Sequence, residues 1–192
     1  MLSEWNDSMP LSPAVPRREI HHRSIDMRAY ARDDGLYEVE ARLIDTKPFP
    51  FERVGSPVPI APGQHLHDLW IRLTVSEDFV VQAVEASSDI TPYGVCKEAE
   101  ATLRVLVGER VVKGWSATVK SRLRGAASCT HLMEMLIPMG TTAFQGIRGV
   151  QPKQERIDAT GAAPRQIDSC YAYRREGEVV MRLWPEHARR SE

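Results

Sequence analysis

The chain has 192 residues, with 25 basic and 26 acidic side chains and a net charge of −1. That length suits one domain with a real hydrophobic core, and the balanced charge excludes a broad phosphate-binding surface, so no nucleic-acid partner is expected. Three widely spaced cysteines do not make a secreted disulfide framework, and no apolar run suits a signal peptide or a membrane span. A reduced, cytoplasmic, soluble protein is the expectation.

Residues 1–23 read as a proline-rich arm, with Met9-Pro10, Ser12-Pro13 and Val15-Pro16 too dense for a helix or central strand. Residues 24–192 read as a single α+β domain. The basic clusters Pro16-Arg17-Arg18 and His187-Ala-Arg189-Arg190 lie near the two ends, where solvated tails account for them.

From Ser24 the pattern has period two. Ile25, Met27, Ala29 and Ala31 alternate with polar residues, Asp33-Asp34-Gly35 is a turn signal, and Tyr37, Val39, Ala41 and Leu43 resume the alternation. Pro48 ends this hairpin, and 49–63 is a proline-rich connection. A second hairpin follows. Leu69, Ile71, Leu73 and Val75 share one face, Ser76-Glu77-Asp78 turns the chain, and 79–86 returns.

After Pro92 the period becomes helical. Ala99, Leu103, Leu106 and Val107 predict a helix starting soon after Cys96. Trp115, Val119 and Leu123 predict a second, with Ser116 as its cap. Leu132, Met135, Leu136, Met139 and Ala143 predict a third, which Pro138 should kink or interrupt. Residues 148–165 are polar and loop-like. Strands over 167–173 and 179–184, flanking Glu176-Gly177, predict a third hairpin with Cys170 in its core. The result is an antiparallel sheet built from hairpins with a helical block on one face.

Chemistry-bearing residues concentrate in three places: His65-Leu-His67-Asp68, Cys96, and Cys129-Thr-His131. In a strand, positions 65 and 67 point to one side and 68 to the other, so the histidines are candidate ligands, or a base with its partner. The bland alternative is an exposed His65 and a His67 bonded to a backbone carbonyl. Cys96 at a helix start would favour thiolate, against the alternative of a small buried hydrophobe. Cys129 and His131 do not face each other within a regular helix, but they converge if Cys129 sits at the cap. Ser128 or Thr130 as N-cap is the rival account of that segment. Asp45-Thr46-Lys47 and Glu134 are secondary candidates, with ordinary surface charge as the alternative.

The blocks Arg32-Asp-Asp-Gly-Leu-Tyr-Glu-Val-Glu-Ala-Arg-Leu-Ile-Asp-Thr-Lys47, His67-Asp-Leu-Trp-Ile-Arg-Leu-Thr74, Pro92-Tyr-Gly-Val-Cys96 and Cys129-Thr-His-Leu132 together resemble the DUF2889 family of bacterial proteins. The resemblance implies aromatic catabolism, and specifically a lyase that releases formaldehyde from lignin-derived phenylcoumarans. Over about 63–144 the order of strands, cysteine and helices is also similar to iron–sulfur scaffold proteins of the NifU/IscU type. Asp68, Cys96 and Cys129 fall at or near the ligand positions of those proteins, while Leu66 and Ser128 depart from them.

Three functions follow. A lyase without an organic cofactor would take a small aromatic substrate. His67 or Asp68 would be its base, Lys47 or Tyr93 its acid or electrostatic partner, and Trp70, Tyr93 or Trp115 its aromatic surfaces. A zinc or iron protein would use His67, Asp68, Cys96, Cys129 and His131 as ligands. A non-catalytic partner protein would use the arm and a sheet edge. A homodimer is the expected assembly.

Overall fold

A computed structural model describes residues 11–56, 58–151, 164 and 166–189. The described chain divides into two compact units, 1–146 and 147–192. The first contains a four-stranded antiparallel meander in the order β1-β2-β3-β4, formed by His22–Ala31, Tyr37–Thr46, His65–Val75 and Val81–Ile90. It is followed by a 3₁₀ segment, Gly94–Leu106, and two helices, α1 (Trp115–Leu123) and α2 (Thr130–Val150). The architecture is α+β, as the sequence pattern predicts.

Period-two alternation sorts the sheet into two faces. Val39, Ala41 and Leu43 of β2 and Leu69, Ile71 and Leu73 of β3 are buried on one face, in register Val39↔Leu73, Ala41↔Ile71 and Leu43↔Leu69. This is the face that α2 covers: Thr142 reaches Met27 of β1 at 3.7 Å, and Phe79 stacks on Phe144 at 5.6 Å. Leu132, Met135, Leu136, Met139 and Ala143 form its fully buried stripe, the i, i+3, i+4 spacing that marks a core-facing helix. The other face carries Glu40, Arg42, Asp68, Trp70 and Arg72, and it is charged and open.

Several local expectations are corrected. β1 begins at His22, so the last two residues assigned to the arm are strand. The segment after Pro92 is 3₁₀ and starts at Gly94, which places Cys96 inside its first turn, with the Cys96 N–H donating to Tyr93 O at 3.1 Å. Gly114, not Ser116, caps α1, because the entry turn requires φ of 99°, a left-handed conformation that glycine adopts without penalty. α2 runs through Pro138 from Thr130 to Val150. Trp115 lies against the same stretch of helix, donating its indole N–H to Leu136 O at 2.7 Å and packing over Gly140, where a side chain would meet the ring.

The second unit overturns the third hairpin. Tyr171–Tyr173 is a 3₁₀ turn and α3 is a short helix, Glu178–Leu183. The apolar run Val179-Val180-Met181 suggests a strand, but Glu178 in the first turn and Arg182 in the last complement a helix dipole, and only Val180 of the helix is buried. Cys170 is exposed rather than core. Of the polar stretch 148–165, the start is the end of α2, and residues 152–163 lie outside the described residues, as do residues 1–10 of the arm.

A candidate acid/base site at the end of the sheet

The buried alternation of β2 and β3 continues one step further with polar residues. Asp45 follows Leu43 on the core face, His67 precedes Leu69 on that face, and the two are register partners. Their side chains meet: Asp45 Oδ2 lies 2.9 Å from His67 Nδ1. Asp45 is only 1% exposed, and a carboxylate so deep requires compensation. Arg23 at the start of β1 provides it, donating from Nε to Oδ1 at 2.7 Å and from Nη2 to Oδ2 at 2.8 Å. Arg23 also reaches Glu134 on α2 at 3.2 Å, and His21 Nε2 stands 3.3 Å from Asp45 Oδ1.

Two opposing effects set the ionisation of this group. Burial alone would raise the Asp45 pKa, but the hydrogen bonds and charges of Arg23 and His67 outweigh it and hold the carboxyl below its ordinary value. For His67 burial wins over the attraction of Asp45, and its pKa is lowered. His67 is therefore a neutral imidazole near pH 7. With the Nδ1 proton donated to Asp45, the Nε2 lone pair is left available.

The start of α2 brings two more side chains to this place. Cys129 occupies the N-cap position, since its carbonyl accepts the first helical hydrogen bond, from Met133 N–H at 3.0 Å. The expected caps Ser128 and Thr130 are displaced: the Ser128 hydroxyl accepts from Thr102 at 2.7 Å, and Thr130 is the first helical residue. Cys129 Sγ lies 3.8 Å from His131 Nδ1, and the His131 ring stands over that of His67 with centroids 4.0 Å apart. Burial raises the thiol pKa, but the contact with His131 and the backbone amides of Leu132 and His131 outweigh it, so the Cys129 pKa is lowered. Asp45, His67 and His131 each bring a ligand-type atom within 4.8 Å of the others.

Other candidates fall elsewhere. Asp68 lies on the open face, bound by Arg42 through Nε–Oδ1 at 2.9 Å and Nη2–Oδ2 at 2.7 Å. His65 does not share a side with His67. The register shifts between Asp45 and Thr46, Thr46 pairs with His65, and His65 Nδ1 is 3.3 Å from Asp68 Oδ2. Trp70 is on the same open face beneath the Arg42 guanidinium, 4.7 Å from its ring centroid. Trp115 is core, 5% exposed with its only donor engaged, so it offers no platform to a ligand. Lys47 sits just beyond β2, with Nζ 5.5 Å from the Phe49 ring and 5.1 Å from the Phe51 ring. Tyr93 is half exposed ahead of the 3₁₀ segment, and Cys96 is half-buried there, outside the Asp45–His67–His131 group.

Sequence reasoning held Asp45 and Glu134 as secondary and missed Arg23 and His21. Parity was the available signal: residues two beyond Leu43 and two before Leu69 must continue onto the core face.

The family described as "Protein of unknown function (DUF2889)" matches residues 21–145. The chain belongs to the DUF2889 family. The matched span begins at His21 and contains every residue of the Asp45 cluster, from Arg23 through Cys129 and His131 to Glu134, while DUF2889 leaves α3 outside its bounds. No curated protein and no solved structure matches the chain. No helix among the described residues is long and apolar enough to cross a membrane.

Proposed function

We propose that this DUF2889 protein is a carbon–carbon lyase that releases formaldehyde from a hydroxymethyl-bearing aromatic compound, with His67 as its base. The observation that carries this reading is the 2.9 Å contact between buried Asp45 and His67, which fixes the imidazole tautomer and leaves a neutral Nε2 to take a proton. The carboxylate is itself fixed by two hydrogen bonds from Arg23, so the base stands on a rigid support. The substrate class comes from the association with aromatic catabolism that the family resemblance carries. Phe49 and Phe51, around Lys47 at the end of β2, supply apolar ring surface beside a cation.

The step balances without an organic cofactor. His67 Nε2 takes the alcohol proton, and the oxygen lone pair becomes the carbonyl of formaldehyde. The carbon–carbon bond breaks, its electrons form a double bond to the neighbouring carbon, and an aryl-ether oxygen on that carbon leaves. The Lys47 ammonium steadies and protonates that oxygen. Asp68, bound to Arg42 on the opposite face, is not the base.

The test is formaldehyde release from a phenylcoumaran with a free hydroxymethyl group. Wild-type protein should release one formaldehyde per ring opened, and His67→Ala should release none while keeping its fold. Release undiminished in His67→Ala, or no release by wild-type protein across hydroxymethyl-bearing aryl ethers, would overturn the reading.

A further inference from the structure

The two outer strands of the sheet are not alike. At β4 the free side is taken by the chain itself. Val81 N–H donates to Glu109 O and Gly108 N–H to Val81 O, both at 2.9 Å, and Ser88 N–H donates to the Glu100 carboxylate at 2.7 Å. Among the described residues β1 pairs only with β2, over ten residues without a proline or a register shift. A long, unbroken edge of this kind is a template for another strand. We propose that β1 pairs antiparallel with β1 of a second copy of this chain, about a two-fold axis at Met27, and joins the two sheets into one.

The backbone restricts the registers available. Arg32 N–H donates to Leu36 O at 2.9 Å, so these two residues form a hydrogen-bonded pair at the hairpin end. Bonded and non-bonded pairs alternate along an antiparallel ladder. The main-chain groups of Ser24, Asp26, Arg28 and Tyr30 are therefore directed at β2, and those of Arg23, Ile25, Met27, Ala29 and Ala31 point away from it. A two-fold pairing must set these outward residues opposite one another, and two registers do so with the longest overlap. One centres on Asp26 and sets that carboxylate against its own copy. The other centres on Met27, with Asp26 opposite the partner's Arg28 and Arg28 opposite the partner's Asp26. Like charges directly opposite are destabilising and unlike charges favourable, so charge selects the Met27 register.

That register also continues both faces of the sheet. On the open face Arg42 stands opposite Asp26, Glu40 stands opposite Arg28, and Arg72 reaches Glu40 at 2.6 Å. Pairing extends this into a row of Arg42, Asp26, the partner's Arg28, the partner's Glu40 and the partner's Arg72, with alternating signs throughout. Asp26 and Arg28 are exposed and hold each other at 2.9 Å, so both can be shared across the axis. On the core face Ile25 is 41% exposed, while its neighbour Leu43 is fully buried. The helix covering this face thus protects β2 and stops short of the free edge. The register sets Ile25 opposite the partner's Ala29 and Met27 opposite the partner's Met27. The row Leu69, Leu43, Ile25 then meets the partner's Ala29, Val39 and Leu73, apolar from end to end.

Five opposed outward pairs exchange about ten main-chain hydrogen bonds. The contact is isologous, so it closes on itself and leaves neither copy of β1 bare. Arg23 falls opposite the partner's Ala31, which brings the outer support of Asp45 to the interface. None of this depends on the lyase reading.

Sedimentation equilibrium of the full chain tests the interface. Wild-type protein should have twice the 21.6 kDa mass of one chain. Asp26→Lys faces the partner's Arg28 with a like charge, and Arg28→Glu does the same to the partner's Asp26. Each variant alone should associate at least tenfold more weakly. An equimolar mixture of the two restores unlike charges at both positions and should regain the double mass, which misfolded variants could not do. Met27→Pro removes an outward N–H and none of the bonds to β2, so it should give a single-chain mass with an unchanged circular dichroism spectrum. On mild oxidation Met27→Cys should cross-link to the same position of its partner, since residues opposed in a bonded pair stand about 5.5 Å apart, whereas Ile25→Cys should not. A single-chain mass for wild-type protein, the outcome if the chain's own terminal residues or another partner fill the edge, would overturn the proposal. So would a dimer that both charge variants leave intact.

Discussion

Two arginine–aspartate–histidine groups stand at the same end of the sheet, on opposite faces. Arg23, Asp45 and His67 lie on the core face, and Arg42, Asp68 and His65 on the open one. Both carboxylates accept two hydrogen bonds from one guanidinium, and each has a histidine nearby. They differ in burial and company. The His67 side chain is 14% exposed against 33% for His65, and the histidine–carboxylate distance is 2.9 Å against 3.3 Å. Among the described residues, only the core-face group has a second imidazole and a thiol delivered by a helix start. The same three residue types therefore make an ionic brace on one face and a site on the other. The helix, not the motif, makes the difference.

The largest expected effect separates the two histidines in catalysis. His67→Ala should lower turnover by about 10²–10⁴-fold, the usual weight of a positioned general base, whereas His65→Ala should change it by less than about threefold. Equal losses would mean that the open-face group shares in the chemistry.

Stability should rank the two carboxylates in the same order. Asp45→Asn leaves the Arg23 guanidinium without its buried counter-charge and His67 without its carboxylate acceptor, and should cost about 3 kcal/mol in chemical denaturation. Asp68→Asn should cost clearly less, because Arg42 is solvated on the open face. A reversed order would assign the structural weight to the open face.

How much of this was legible in the sequence follows from where each signal lives. The hairpins were legible because alternation and the Asp33-Asp34-Gly35 turn are local. His67, Cys129 and His131 were legible as chemistry-bearing types, and the cap geometry at Cys129 was foreseeable because non-helical φ/ψ at that position lets residues two apart converge. The choice of Asp45 over Asp68 was legible only through parity, which carries the core face from Leu43 to Asp45 and from Leu69 to His67 and puts Asp68 on the other face; that α2 covers the core face is a tertiary fact no strand pattern encodes. Arg23 was lost to the arm, since its role is a cross-strand contact 22 residues away that no local pattern encodes. The fate of 179–184 turned on burial: a short apolar run reads equally as strand or helix until tertiary packing decides.

Acid should act on the two groups in different windows. Asp45 and Asp68 both have lowered pKa values in the folded chain, so their contribution to stability is full above about pH 4 and is lost as pH falls through the folded values. His67 also has a lowered pKa, so an unfolded chain takes its proton first as pH falls below about 6.5, and stability declines from there down to the folded value. Urea midpoints should therefore fall in two limbs. His67→Gln should remove the upper limb, and Asp68→Asn should leave it intact. An upper limb that survives His67→Gln would assign the titration to a group other than His67.

The smallest effect concerns the thiol that only the core-face site possesses. Three influences act on Cys129: burial raises its pKa, while His131 and the α2 amides lower it by a greater amount. The rate of alkylation at Cys129 in metal-free protein, followed by iodoacetamide mass labelling of its peptide, should therefore have its pH midpoint below the ordinary thiol value. His131→Ala deletes the imidazole but keeps the backbone amides, and it should move the midpoint upward without abolishing reaction. If the midpoint stays where it was, the helix start alone sets the thiolate, and the 3.8 Å contact between the two side chains carries no electrostatic weight. If it rises, the thiol and imidazole form a coupled pair. The core-face group would then have a partner for each of its polar side chains, a property its open-face counterpart lacks the residues to match.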